Sequence, residues 1–155
     1  MPETIYRAGK RQVEYQRIAE PHDLVIPFEE TFPVLVWNCL ADYPVAKQSQ
    51  IFEELFHRGC RYVVAGGNNC EQWHDVADEQ FLEQFQSETE QDANFVMTSW
   101  HTDESEDDVA FFFMLNTSFG DHSFSKYLVL QVGEDPSVTE RLVHAVEKWS
   151  SAPAA

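Results

Sequence analysis

The chain has 155 residues, 43% of them hydrophobic and 14% aromatic, and carries 27 acidic against 10 basic side chains for a formal net charge of −17. That apolar content is too high for disorder, and the length suits one α/β domain over residues 1–155 with a sizeable core. So few cations weigh against nucleic acid as a partner, because phosphate binding needs clustered lysine and arginine.

Residues 1–30 form a basic, less regular segment that holds Arg7, Lys10, Arg11 and Arg17. Within it Val13, Tyr15 and Arg17 alternate as an edge strand does, and Asp23 to Phe28 is a short apolar run that Pro27 confines to an edge. Pro33 to Leu40 is an apolar run of the kind covered on both faces. Ala46 to Arg58 then sets Ile51, Phe52, Leu55 and Phe56 on one helical face, with Gly59 as a stop. Arg61 to Ala65 is a second strand, ending at Gly66-Gly67-Asn68-Asn69. A helix follows over Glu71 to Gln86, with Trp73, Val76, Ala77, Phe81 and Phe85 inward and Asp78 as a candidate break. Asn94 to Trp100 is the third strand.

The acids from Asp103 to Asp108 suit the positive end of a helix that Val109 to Leu115 completes, although that apolar run also fits a buried strand. Asn116 to Ser125 is a loop, and Lys126 to Val132 the fourth strand. Asp135-Pro136-Ser137 opens the last helix, with Ser137 and Glu140 at capping-box spacing and a stripe of Val138, Leu142, Val146 and Trp149. Residues 150–155 make a loose tail. The alternation predicts a three-layer α/β fold: a mainly parallel sheet of about four strands, helices on both faces, and an irregular N-terminal segment.

In open parallel sheets, ligands gather beyond the carboxyl ends of the strands. Those ends supply Asn38 and Cys39, Gly66 to Cys70, His101 to Asp103, and Gly133 to Asp135. The candidate ligand-binding residues are Asn38, Gly66, Gly67, Asn68, Asn69 and Asp103. The Gly66–Asn69 turn runs into a helix whose free amides would attract an anion. It lacks the GxGxxG spacing and the lysine of a phosphate loop, so a tight turn is the simpler account. Cys70 at that helix start is a candidate nucleophile, with His74 or His101 as its base. Glu71 and Asp75 beside it oppose a thiolate. Cys70 and His74 also share a helix face at ligand spacing, and His101 and Asp103 would complete a zinc set. Such a set is mixed and widely separated, so no metal is expected, and no cofactor either. The acids from Asp103 to Asp108 lack the spacing of a calcium loop.

Between Arg61 and Lys126 there is no lysine or arginine, and the same interval holds fourteen acids. A surface built from it repels polyanions and attracts basic proteins. The expected function is therefore a non-enzymatic binding protein for a basic protein partner, for instance one that neutralises a toxin. The alternative is a small enzyme or ligand-binding domain with a Cys/His site at the strand ends. Cys39, Cys60 and Cys70 form no CxxC pair and suit the reducing cytoplasm. A polar start without a secretory h-region, and no apolar run long enough to span a bilayer, point to a cytoplasmic protein without membrane contact.

Overall fold

A stretch with no polar side chain before its last residue, Phe32–Asn38, forms strand β3, and all of it is buried. Apolar on both faces, such a strand needs neighbours on both edges and cover above and below. The computed structural model, which describes residues 2–152, supplies both. On one side β3 pairs in parallel with β4 (Cys60–Gly67), and β4 with β5 (Met97–Trp100). On the other it pairs in parallel with β6 (Lys126–Val132), followed by β2 (Arg11–Ile18) and β1 (Glu3–Ala8). The sheet order is β1-β2-β6-β3-β4-β5, with only the β1–β2 pair antiparallel.

Side-chain alternation sends Val34 and Val36 to one face and Leu35 and Trp37 to the other. The first face is covered by α1 (Val45–His57) and α2 (Cys70–Gln84), through Ile51, Phe52, Leu55, Trp73 and Ala77. The second is covered by α4 (Glu106–Leu115) and α5 (Pro136–Ser150), through Val109, Phe113, Leu142 and Val146. This is the expected three-layer α/β architecture, with helices on both faces of a mostly parallel sheet. Trp73 is 1% exposed at the centre of the first layer, where loss of such a ring costs about 3–5 kcal/mol.

The apolar run from Val109 resolves as helix, not strand. Ser105 Oγ accepts from the Asp108 amide at 3.1 Å, and Val109, Ala110, Phe113 and Met114 are buried while Phe111 is exposed. Helix α2 runs unbroken through Asp78. A short helix that the periodicity passes over, α3 (Glu88–Ala93), starts at a Ser87/Glu90 capping box.

The N-terminal segment is more regular than its sequence suggested. Gly9 and Lys10 form a two-residue loop joining β1 to β2, with Gly9 at φ 59° as the first position of a II′-type hairpin turn requires. β2 is therefore no edge strand, because β1 covers it. Leu24 to Phe28 is not a strand at all. The Gln16 amide takes the place of a pairing partner, donating to Val25 O at 2.6 Å and accepting from Val25 N at 3.0 Å. Ile26 and Phe28 are thereby held in the first core layer. Within the basic segment Arg11 donates to Ser150 O at 2.8 Å and lies 5.4 Å over the Tyr127 ring, satisfying the end of α5. Ser150 itself is buried in α5, and residues 153–155 of the expected tail lie outside the described residues.

The last helix is capped by Asp135, whose Oδ1 accepts from the Ser137 and Val138 amides at 3.1 and 3.2 Å. Ser137, at the spacing of a capping box, is already the second residue of the helix, two positions past the cap. Asp135→Ala should cost about 1 kcal/mol in urea unfolding, and Ser137→Ala less than about 0.5 kcal/mol. Equal losses in the two variants would contradict this assignment.

Candidate functional site

The carboxyl ends of the strands are largely filled by the chain itself. Strand order reverses between β3 and β6, where an open sheet offers its crevice. There Leu40 sits directly on Gly133, so that a Cβ on this glycine would lie 2.6 Å from Leu40 Cγ. Asn38 ties the end of β3 together: its Nδ2 donates to Leu40 O and Asn68 O, both at 2.9 Å, and its Oδ1 accepts from Leu40 N at 3.1 Å. Asn68 N donates in turn to Asn38 O at 2.8 Å. The room opened by Gly66 is taken by Trp37, whose ring would stand 2.7 Å from an added Cβ. Gly67, at φ 81°, packs against the Asn38 carbonyl. Asn69 precedes α2 in the left-handed region at φ 57° and donates from Nδ2 to Ala41 O at 2.7 Å. Asp103 takes a left-handed turn at φ 61° and is exposed.

Cys70 is 3% exposed, and its Sγ lies 3.7 Å from Thr102 Oγ1. His74 Nδ1 stands 2.9 Å from Asp75 Oδ1 and Nε2 3.4 Å from Asp78 Oδ2, while its ring packs on Trp100 at 4.4 Å. His101 is buried, with Nδ1 3.1 Å from Glu104 Oε2 and Nε2 3.1 Å from Ser99 Oγ. Among the described residues neither imidazole hydrogen-bonds to Cys70 Sγ, and no three His, Cys, Asp or Glu side chains are grouped to hold a metal ion.

A different surface stands out at the β5 edge of the sheet. Leu82 is 58% exposed, Phe95 47% and Trp100 44%, half of the six large apolar side chains that are exposed among the described residues. Leu82 and Phe95 line a groove of about 510 Å³ together with Phe81, Val96, Met97, Thr98 and the carboxylates Asp78 and Asp92, and Trp100 lies beyond it against His74. Thr98 Oγ1 donates to Asp78 Oδ1 at 2.8 Å and fastens the strand to α2. Sequence reasoning passed over this surface. Its signal was Leu82, which falls off the inward stripe of α2, and Phe95, one residue from the buried Val96.

Pairing divides the acidic interval in two. On α4, Glu106 accepts from Arg141 at 2.9 Å and Asp107 from Lys148 at 3.1 Å, the latter holding the Asp107 carboxyl below the usual range. On α2 and α3, Glu79, Glu83, Glu88, Glu90 and Asp92 have no ion pair among the described residues. The guanidinium that reaches this side, Arg61, is half-buried and donates to Phe56 O, Cys60 O and Asn94 Oδ1. These five unpaired carboxylates therefore lie on the two helices beside β5, while Asp103, Asp108 and Asp121 are the acids of the interval without an ion pair elsewhere among the described residues.

The chain belongs to the family described as Domain of unknown function (DUF7684), whose model matches residues 13–149. The match runs from β2 into α5, taking in the β5 edge and leaving β1 outside. No curated protein matches the chain.

The buried thiol of Cys60 and the half-buried one of Cys39 set an alkaline limit on stability. Burial pushes Cys60 up to about 12, and burial with the charges of Asp135 and Glu106 pushes Cys39 up to about 11, from an ordinary 9.0. Burial likewise raises the Tyr43 hydroxyl to about 12. The unfolded chain releases these protons first, so stability present below pH 9.0 is lost as pH rises toward 11 and 12. Melting temperature should fall above that pH, and fall less in Cys60→Ala than in the parent. A flat or rising profile would contradict the burial of these groups.

Proposed function

We propose that this member of the family is a non-enzymatic binding protein for a basic protein partner, engaged through the α2–α3–β5 side of the molecule. One observation carries the reading: the carboxylates without an internal cation and the exposed apolar side chains Leu82, Phe95 and Trp100 occur on the same side. Charge left unpaired by the fold is available to steer a cationic surface, and apolar groups beside it hold what has been steered. An acidic surface serving only solubility needs no such apolar groups within it. Against the Cys/His reaction centre stand the burial of Cys70 and the commitment of both imidazoles to neighbouring carboxylates.

The test is association kinetics with a panel of small basic proteins and acidic ones of equal size. Basic proteins should be captured preferentially. Their association rate should fall about tenfold or more as the Debye length shrinks from ~30 Å at 0.01 M salt to ~8 Å at 0.15 M. Reversal of Glu88 and Asp92 to lysine should slow capture more than reversal of Glu140 and Glu147 on α5, an equal change in net charge. Salt-independent capture, or equal effects of the two reversals, would refute the assignment.

A further inference from the structure

We propose that the partner segment is an extended, basic stretch of chain that adds to the sheet as a seventh strand along β5, an inference that rests on the binding reading above. β5 is a terminal strand of the sheet and pairs with β4 alone. In a parallel ladder the backbone groups of successive residues point to opposite sides. His101 N donates to Ala65 O at 3.0 Å, and Thr98 and Trp100 pair across from Val63 and Ala65. The N–H and C=O groups of Thr98 and Trp100 therefore face outward, two donors and two acceptors in line. Proteins usually blunt such an edge with charge, proline, a covering loop or shortness, and at four residues β5 is short. Here Met97–Trp100 contains no charged residue and no proline.

The apolar groove lies along this edge, so the side chains of an added strand that point to the α2 face would meet Leu82 and Phe95. Main-chain pairing supplies affinity in this mode of recognition, and the pockets for alternate side chains supply specificity. Asp78 and Asp92 in the groove, with no lysine or arginine in the sequence from 62 to 125, select lysine or arginine around the apolar positions. The occupant fitted by this chemistry is a segment with apolar residues at alternate positions and cations flanking them.

The experiment is selection from a random peptide display library on the whole protein, followed by affinity measurements with the selected peptides on variants. Thr98→Pro removes an outward N–H and leaves the ladder to β4 in place, as proline is tolerated on an edge. Thr98→Val removes the same hydroxyl but keeps the N–H. The expected result is a set of basic peptides with alternating apolar residues, weakened about tenfold by Thr98→Pro and by Leu82→Ala and little by Thr98→Val. Hydrogen exchange at the Thr98 and Trp100 amides should slow when the peptide binds. Basic peptides indifferent to Thr98→Pro and Leu82→Ala would overturn strand addition and leave the basic-partner reading standing. Selection of neutral or acidic peptides, or of none, would overturn both. Protection of those two amides by self-association without peptide would assign the edge to a second copy and overturn this proposal.

Discussion

Burial of β3 and β6 on both faces is the constraint from which the rest of the structure follows. Val34, Val36, Leu128 and Leu130 belong to one core layer, and Leu35, Trp37 and Val129 to the other. A one-residue slip would exchange these sets, but each layer is shaped by its own helices, Trp73 and Phe52 on one side and Phe113 and Leu142 on the other. Register, helix placement and the position of the edges are thus settled together. Two edges remain, and they are unlike. At β1 the hairpin lies beside α5 and Arg11 ties β2 to the end of that helix, with the cations Arg7 and Lys10 exposed. At β5 there is a neutral strand, an apolar groove and acids.

The electrostatics follow the same division. The last helix brings Arg141 and Lys148 to the first turn of α4, where Glu106 is 9% exposed and needs its partner. These contacts spend the cations of α5 internally. In the first layer the cations serve α1 and the N-terminal segment, Arg58 pairing with Glu54 and Lys47 with Glu20, while Glu53 and Glu83 line a polar cleft between α1 and α2 without an ion pair among the described residues. Like charges that a fold leaves adjacent cost stability, modestly when exposed and screened.

Much of the fold was legible because the central strands announce themselves as short apolar runs and the helices as 3.6-residue stripes with Gly59 and Asp135-Pro136 as punctuation. The hairpin was hard to see because β1 has polar residues on both sides and its turn is the modest Gly9-Lys10 pair. Leu24 to Phe28 misleads for another reason. Its two buried residues look like a strand, but the pairing partner is one glutamine side chain, a tertiary contact that no local pattern records. The acidic interval was plain in the sequence, but its division into a paired half and an unpaired half depends on where Arg141 and Lys148 fall across α5.

Open sheets leave space at their strand ends, but here the crevice at the strand-order reversal is packed, and what remains beyond β3 and β4 is an open cleft of about 380 Å³ lined by Ala41, Tyr43, Asn69 and Gln72. Leu40 on Gly133, Trp37 on Gly66 and the Asn38 side chain bridging two loops use small or permissive residues for close packing. Glycine at a strand end is thus ambiguous: it makes room, and either a ligand or the protein's own side chain can take it. Only the neighbouring large residue decides, and Trp37 is separated from Gly66 by an entire helix in sequence. The upper crevice is packed by leucine and tryptophan, whereas along the lateral edge Leu82, Phe95 and Trp100 stay exposed. There the sheet ends at β5 with unpaired backbone and an apolar groove beside it.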